Sequence, residues 1–202
     1  MCNHYRNNPD LIPTWREYAG YDLRQPNQEF ASDVYPKRAG MIVRKDDGVV
    51  KSDVMAWGVP TMVKGATKML EKRVTNVRNL SSNFWKSMLS KPEQRCLVPF
   101  STFAEPKAGQ GREEWWFTIK DQPLAAFAGI WRQSEHGAVY AFLTCEPNEL
   151  VAPLHPKAMP VILDPSQYEE WLSTDYAGAC AMAQPFPTDR MAVELKEHKK
   201  NK

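Results

Sequence analysis

The sequence has no apolar run approaching the roughly 18 residues that a membrane-spanning helix needs. It has no apolar leader either: the chain starts Met1-Cys2-Asn3-His4-Tyr5-Arg6, so a secretory signal is not expected. No two of its four cysteines (Cys2, Cys96, Cys145 and Cys180) stand in CxxC spacing, and the histidines show no metal-ligand spacing. Neither a metal nor another cofactor is therefore expected. Scattered cysteines behind no signal point to free thiols in a reducing cytoplasm. Glycine is scarcer than proline, 10 against 16, which favours stiff, extended connections. No repeat, low-complexity segment or long linker divides the 202 residues, a length that fits one domain with a sizeable core.

Net charge is also nearly lacking, at +2, but the small sum hides an uneven distribution. Residues 1–60 carry eight basic and eight acidic groups. Residues 61–95 carry eight basic groups and two acidic ones, a net of +6, and residues 96–202 carry ten against fourteen, a net of -4. A basic segment in an otherwise balanced chain suits an anionic partner held on one face, with phosphates the usual candidates, or simply a solvated surface. The lysine-rich end, residues 196–202, reads as a frayed basic tail on a domain spanning 2–195.

Apolar segments are short and frequent. Arg38–Arg44 and Val54–Val59 read as strands joined through Asp47-Gly48, a hairpin signal. Cys96–Phe100, Trp115–Lys120, Ala125–Trp131, Ala138–Cys145 and Met159–Leu163 read as further strands. Short helices are expected from Ser81 or Ser82 to Leu89, from Asn148 toward Leu154, and over Pro165–Leu172 with Asp164 as cap. The expectation is a single β-rich α+β domain, mostly antiparallel and barrel-like, with a few short helices.

Cys2 is the first candidate for chemistry. Once the initiator Met is removed, it offers an α-amine and a thiol on adjacent carbons, both partly deprotonated near neutral pH. An aldehyde meeting that pair forms an imine, which the thiol closes to a five-membered thiazolidine. The alternative is a frayed end that happens to carry a cysteine. Glu105 follows the apolar run Cys96–Phe100 and precedes Pro106, where burial can raise a carboxyl's pKa, or where a surface carboxylate can simply sit. His155 stands where a helix end meets a strand and suits proton relay, or a structural role. Asn76 and Arg78 lie in the basic segment, where an amide can orient a nucleophile and a guanidinium can clasp phosphate. Trp57 and Gly58 end the strand before that segment, so Trp57 either stacks on a base or fills the core.

Taken in order, Met1-Cys2, Met55-Ala56-Trp57-Gly58-Val59-Pro60, Asn76-Val77-Arg78, Cys96-Leu97-Val98-Pro99 leading to Glu105, Phe127-Ala128-Gly129-Ile130-Trp131, and His155 before Met159-Pro160-Val161-Ile162-Leu163 resemble the SOS-response-associated peptidase (SRAP) family. The resemblance runs from residue 2 to about residue 195. It implies an autopeptidase that removes its own first residue and then crosslinks the freed Cys to an abasic site in single-stranded DNA. It implies catalytic roles for Cys2, Asn76, Glu105 and His155. It implies DNA contacts at Arg78, Trp57, Gly58, Thr144 and Lys157, with Lys64, Lys68, Lys72 and Arg73 supplying the basic face. The sequence departs from the family pattern at Asn3, where Gly is usual, at Ala104-Glu105-Pro106, at Asn79-Leu80, and in an extra residue between His155 and Met159. The implied protein is a cytoplasmic, nucleoid-associated monomer that needs no cofactor. Two alternatives stay open on the residues alone: an N-terminal-Cys amidohydrolase or thiol peptidase, and a non-catalytic single-stranded nucleic-acid-binding module.

Overall fold

A computed structural model of the chain describes residues 2–21, 23, 26, 28–109 and 113–197. Its strands in chain order are β1 (His4–Arg6), β2 (Asp33–Val34), β3 (Ala39–Asp46), β4 (Val49–Trp57), β5 (Val59–Lys64), β6 (Met69–Val74), β7 (Asn76–Val77), β8 (Arg95–Phe100), β9 (Thr102–Pro106), β10 (Glu113–Ile119), β11 (Ala125–Ser134), β12 (Gly137–Cys145), β13 (Met159–Pro160), β14 (Ile162–Leu163) and β15 (Met191–Glu197). The α-helices are α1 (Trp15–Ala19), α2 (Asn83–Leu89), α3 (Tyr168–Ser173) and α4 (Tyr176–Ala181).

Strands β12, β4, β3, β8 and β11 pair in that order, and β11 pairs back onto β12, so five strands close a barrel. Within these five, only the β12–β4 seam is parallel. Against the barrel lies an antiparallel sheet in the order β15-β10-β9-β1-β2, while β5 and β6 form a separate two-stranded hairpin. This is the β-rich, mostly antiparallel α+β barrel that the sequence led us to expect.

The nearly continuous apolar strands are explained by two cores, one on each face of the barrel wall. Val139, Ala141 and Leu143 of β12 enter one core together with Trp85, Met88 and Leu89 of α2 and Trp171 and Leu172 of α3. The alternate residues Tyr140 and Phe142 enter the other, which also takes Tyr5, Phe103 and Phe117 from the second sheet. A strand covered on both faces has no side left for polar residues.

The Asp47-Gly48 turn is a two-residue one, with Asp46 opposite Val49 and both central residues at positive φ (48° and 78°). Four expectations need correction. The strand expected over Met159–Leu163 divides at Val161 into β13, which pairs with β12, and β14, which pairs with β11. Asn148 does cap Val151 N with its side chain at 3.0 Å, but only isolated helical turns follow, because Pro153 has no N–H to continue a helix. The strand expected over Val54–Val59 breaks at Gly58 (φ 120°), and β5 starts afresh at Val59. The expected tail from residue 196 begins inside β15, which pairs through Glu197 with Glu113, and residues 198–202 lie outside the described ones. Among the described residues, no helix is long and apolar enough to cross a membrane.

Candidate functional site

The pairing of β1 with β9 sets His4 opposite Ala104, which brings the start of the chain beside Glu105. Cys2 and Glu105 are both fully buried. The Cys2 thiol donates to the His4 carbonyl at 3.4 Å. From the barrel side, β7 lies parallel to β12 with Asn76 opposite Phe142. The Asn76 amide donates to the Cys2 carbonyl at 3.0 Å and to Thr75 Oγ1 at 2.8 Å. Its Oδ1 is buried and has no partner among the described residues. His155, in the segment between β12 and β13, places Nε2 3.6 Å from Glu105 Oε2. Residues 2, 76, 105 and 155, scattered over the sequence, thus meet where the second sheet packs against the barrel.

The electrostatics of this cluster follow from burial. Burial, helped by the nearby Glu105 charge, pushes the Cys2 thiol well above its ordinary pKa. Burial likewise pushes the Glu105 carboxyl up to about 7, and Glu114 on β10 adds to the effect. Burial lowers His155, and the charge of Lys157 acts in the same direction. The His155 Nδ1–H donates to the Ala158 carbonyl at 2.8 Å, an assignment that leaves Nε2 as an acceptor facing Glu105. Near neutral pH a carboxyl that still keeps its proton in part therefore faces a neutral imidazole, and a proton can be lent in either direction.

The other expected contacts divide into two groups. Arg78 is half-exposed, with Nη2 4.0 Å from Glu146, and Lys64, Lys68, Lys72 and Lys157 are exposed. Thr144 is buried on β12 and donates to the Val77 carbonyl at 3.4 Å, beside Asn76. Trp57, expected at a nucleic-acid surface, is instead fully buried. Its ring stacks on Phe142 at 5.1 Å, and its indole N–H donates to the Thr75 carbonyl at 3.1 Å. It therefore holds the backbone next to Asn76 and stacks on no ligand. Gly58 is buried too, and a Cβ there would lie 2.9 Å from Arg73 Cβ, so its role is to let the hairpin approach. Arg73 itself pairs with Glu71 at 3.1 Å and reaches the Gly58 carbonyl, so it braces the hairpin. The +6 segment is not one face either, because Arg95 is fully buried with its guanidinium over Trp171.

Sequence reading missed the polar shell behind the cluster. His4 is 2% exposed, with Nε2 2.8 Å from Asp33 and Nδ1 3.1 Å from Glu114. Its only signal was position, two residues from Cys2. Ligand-type side chains also gather at Glu71, Glu135 and His136, which are exposed and belong to the hairpin side of the molecule.

The family model described as SOS response associated peptidase (SRAP) matches residues 1–198. No curated protein matches the chain in sequence. Among solved structures, a Bordetella bronchiseptica protein is similar with a TM-score of 0.77 at 23% identity, over 98% of this chain and 100% of its own. A Bacteroides thetaiotaomicron protein gives 0.73 at 20% identity over 98% and 93%. A phage-related protein from Bordetella bronchiseptica gives 0.68 at 18% over 98% and 94%. At these identities the structures establish the shared fold.

Proposed function

The chain belongs to the SOS response associated peptidase family, and from that membership we propose that it frees Cys2 by removing Met1 and then links Cys2 covalently to the sugar of an abasic site in single-stranded DNA. Membership alone gives a peptidase-like role tied to DNA damage and an association with DNA. The finer reading is carried by one observation: the backbone of Cys2 is pinned by Asn76 at 3.0 Å in a cluster with Glu105 and His155.

The abasic sugar is a cyclic hemiacetal that must open to an aldehyde before it can react. Glu105, with its pKa raised to about 7, is still protonated in part near neutral pH and can donate to the ring oxygen. The Cys2 amine adds to the aldehyde carbon, and the carbinolamine loses water to an imine. The thiol then adds to the imine carbon, its proton passing to nitrogen through Glu105 or His155, and the thiazolidine closes. The unpartnered Asn76 Oδ1 is an acceptor for the amine or for a sugar hydroxyl. Selectivity is steric in this scheme, because an intact nucleotide carries a base where the cluster needs an open C1′. Arg78, Lys157 and the hairpin lysines hold the phosphates. The scheme uses no cofactor, works in a monomer, and needs the reducing cytoplasm around the nucleoid so that the thiol stays free.

The test is a heat-stable, SDS-resistant adduct with a single strand carrying one abasic site. The wild type is expected to form it and Cys2→Ala is not. A full-yield adduct from Cys2→Ala overturns the reading. Intact-mass measurement gives the companion check, since a retained Met1 leaves no aminothiol. Ammonia release from glutamine would instead support the amidohydrolase alternative.

A further inference from the structure

On the hairpin side of the molecule, ligand-type side chains from two distant segments converge. Glu135 and His136 are the two residues of the turn that joins Ser134 of β11 to Gly137 of β12. Glu71 lies on β6, opposite Met62 of β5 and 65 residues before His136. His136 Nε2 stands 2.7 Å from Glu71 Oε2 and 3.7 Å from Glu135 Oε1. One donor atom from each of the three lies within 4.8 Å of the other two. A tetrahedral ion with bonds of about 2.0–2.2 Å holds its donors roughly 3.3–3.5 Å apart, so small side-chain adjustments suffice to receive one.

The donors are also held from behind. Arg73 Nε donates to Glu71 Oε1 at 3.1 Å, while Glu71 Oε2 faces the imidazole. Ser134 Oγ accepts from the His136 backbone N–H at 3.1 Å and donates to the Gly137 carbonyl at 2.8 Å, which fixes the turn. Outer hydrogen bonds of this kind orient the carboxylates and imidazoles that ligate metals. In front, a cavity of about 340 Å³ is lined by both Glu71 and Glu135, with room for the waters that complete a coordination shell. Arg132 lines the same cavity, but it is engaged with the Pro60 carbonyl at 2.9 Å and the Phe84 ring. A single proton on Nε2 serves one of the two carboxylates, whereas a cation at that point serves both.

We propose that Glu71, Glu135 and His136 bind one zinc-type divalent ion, which ties the β5–β6 hairpin to the turn between β11 and β12. One imidazole nitrogen with two carboxylate oxygens is a donor set that suits Zn²⁺ and is poor for Mg²⁺ or Ca²⁺, which take oxygen shells. Sequence spacing could not announce the site, because Glu71 comes from a strand 65 residues away from His136. Glu71 belongs to the hairpin and the other two ligands to the barrel, so the bound ion fastens the segment that carries Lys64, Lys68 and Lys72. The inference uses no residue of the Cys2 cluster and holds whether or not that cluster crosslinks DNA.

The experiment titrates Zn²⁺ calorimetrically into the untagged full chain, and into His136→Ala and Glu71→Gln. The wild type is expected to take up one ion, and each variant to bind it at least about tenfold more weakly. Co²⁺ used as a spectroscopic substitute should bind without a sulfur-to-metal charge-transfer band, which separates this site from the four cysteines. Trypsin cleavage after Lys64, Lys68 and Lys72 should slow on adding Zn²⁺ in the wild type and not in His136→Ala. No saturable binding, equal affinity in His136→Ala, or a sulfur band overturns the proposal. Weakened binding in His136→Ala with none in Glu71→Gln means a lone surface histidine and overturns the three-ligand site. Displacement of Zn²⁺ by an equal concentration of Mg²⁺ overturns the choice of ion, and cleavage unaffected by Zn²⁺ overturns the fastening of the hairpin. Should Glu71→Gln disturb the hairpin, Glu135→Gln on the exposed turn decides the carboxylate arm in its place.

Discussion

Around Cys2 the polar side chains are buried and held in fixed geometry: Glu105 at 0% exposure, Asn76 at 5%, His4 at 2%. On the β5–β6 hairpin, Lys64, Lys68 and Lys72 stand in water beside exposed apolar side chains, Met62 at 55% and Met69 at 53%. The two regions both carry ionisable groups but differ in what those groups cost. A buried carboxyl is expensive and is tolerated only where its surroundings hold it in one state. A solvated lysine costs almost nothing and can be exchanged for another. The proposed chemistry is therefore assigned to the first region, where geometry and pKa are set, and the proposed charge-based attraction to the second, where neither needs to be.

The comparison breaks most readily at Trp57. This side chain joins the two regions, since it lies at the end of β4 next to the hairpin and its indole N–H supports the carbonyl next to Asn76. Trp57→Ala is expected to cost about 3–5 kcal/mol of stability in denaturant titration, the usual loss for a large buried aromatic. The surviving folded fraction should also form adduct more slowly, because Asn76 is no longer braced. A loss below about 1 kcal/mol would mean that Trp57 is not the core residue its burial makes it.

Glu105 sharpens the same contrast through pH. Its carboxyl is raised from an ordinary 4.5 to about 7 in the fold, so the native state holds its proton more tightly than the unfolded chain does. Stability from this group is full below pH 4.5 and is lost as pH rises through about 7. The loss approaches about 3 kcal/mol once both states are ionised. Glu105→Gln has no proton to lose. Its melting temperature should therefore gain on the wild type between about pH 5 and pH 8, while adduct formation falls on the order of 10²-fold. Parallel melting curves for the two proteins across that range would mean that the Glu105 carboxyl is not raised in the fold.

How much of this was legible in the sequence depends on range. The barrel strands announced themselves as local apolar runs, and Asp47-Gly48 specified its turn through the φ values that only such residues take readily. Residues 2, 76, 105 and 155 were reachable through an ordered set of short blocks, because a resemblance reads all blocks at once. The clamp on His4 was not, because its partners lie 29 and 110 residues away and no local pattern encodes them. β9 was missed since Thr102-Phe103-Ala104-Glu105-Pro106 carries a charge and a proline, both depleted in strands. The residues alone left Trp57 open, and the resemblance pointed it toward DNA, because a tryptophan next to lysines looks the same whether it fills a core or faces a ligand. The surrounding Tyr5 and Phe142, which decide it, come from distant segments.

The smallest expected effect on the fold belongs to the hairpin, and it tests the other half of the comparison. Lys64, Lys68 and Lys72 neutralised together to Gln should leave stability within about 0.5 kcal/mol of the wild type, as is usual for exposed positions without buried partners. Binding to single-stranded DNA should respond differently. Every phosphate that no longer meets a lysine lowers the slope of log affinity against log salt by roughly 0.7, so the triple variant should lower it by about 2. The rate of the covalent step at saturating DNA should stay as in the wild type, because none of the three side chains reaches the Cys2 cluster. An unchanged salt slope would move the phosphate-binding surface off the hairpin, to Arg78 and Lys157. A slower covalent step at saturation would mean that the hairpin positions the sugar as well as attracting the strand, and the division between a rigid chemical region and an exchangeable electrostatic one would then fail.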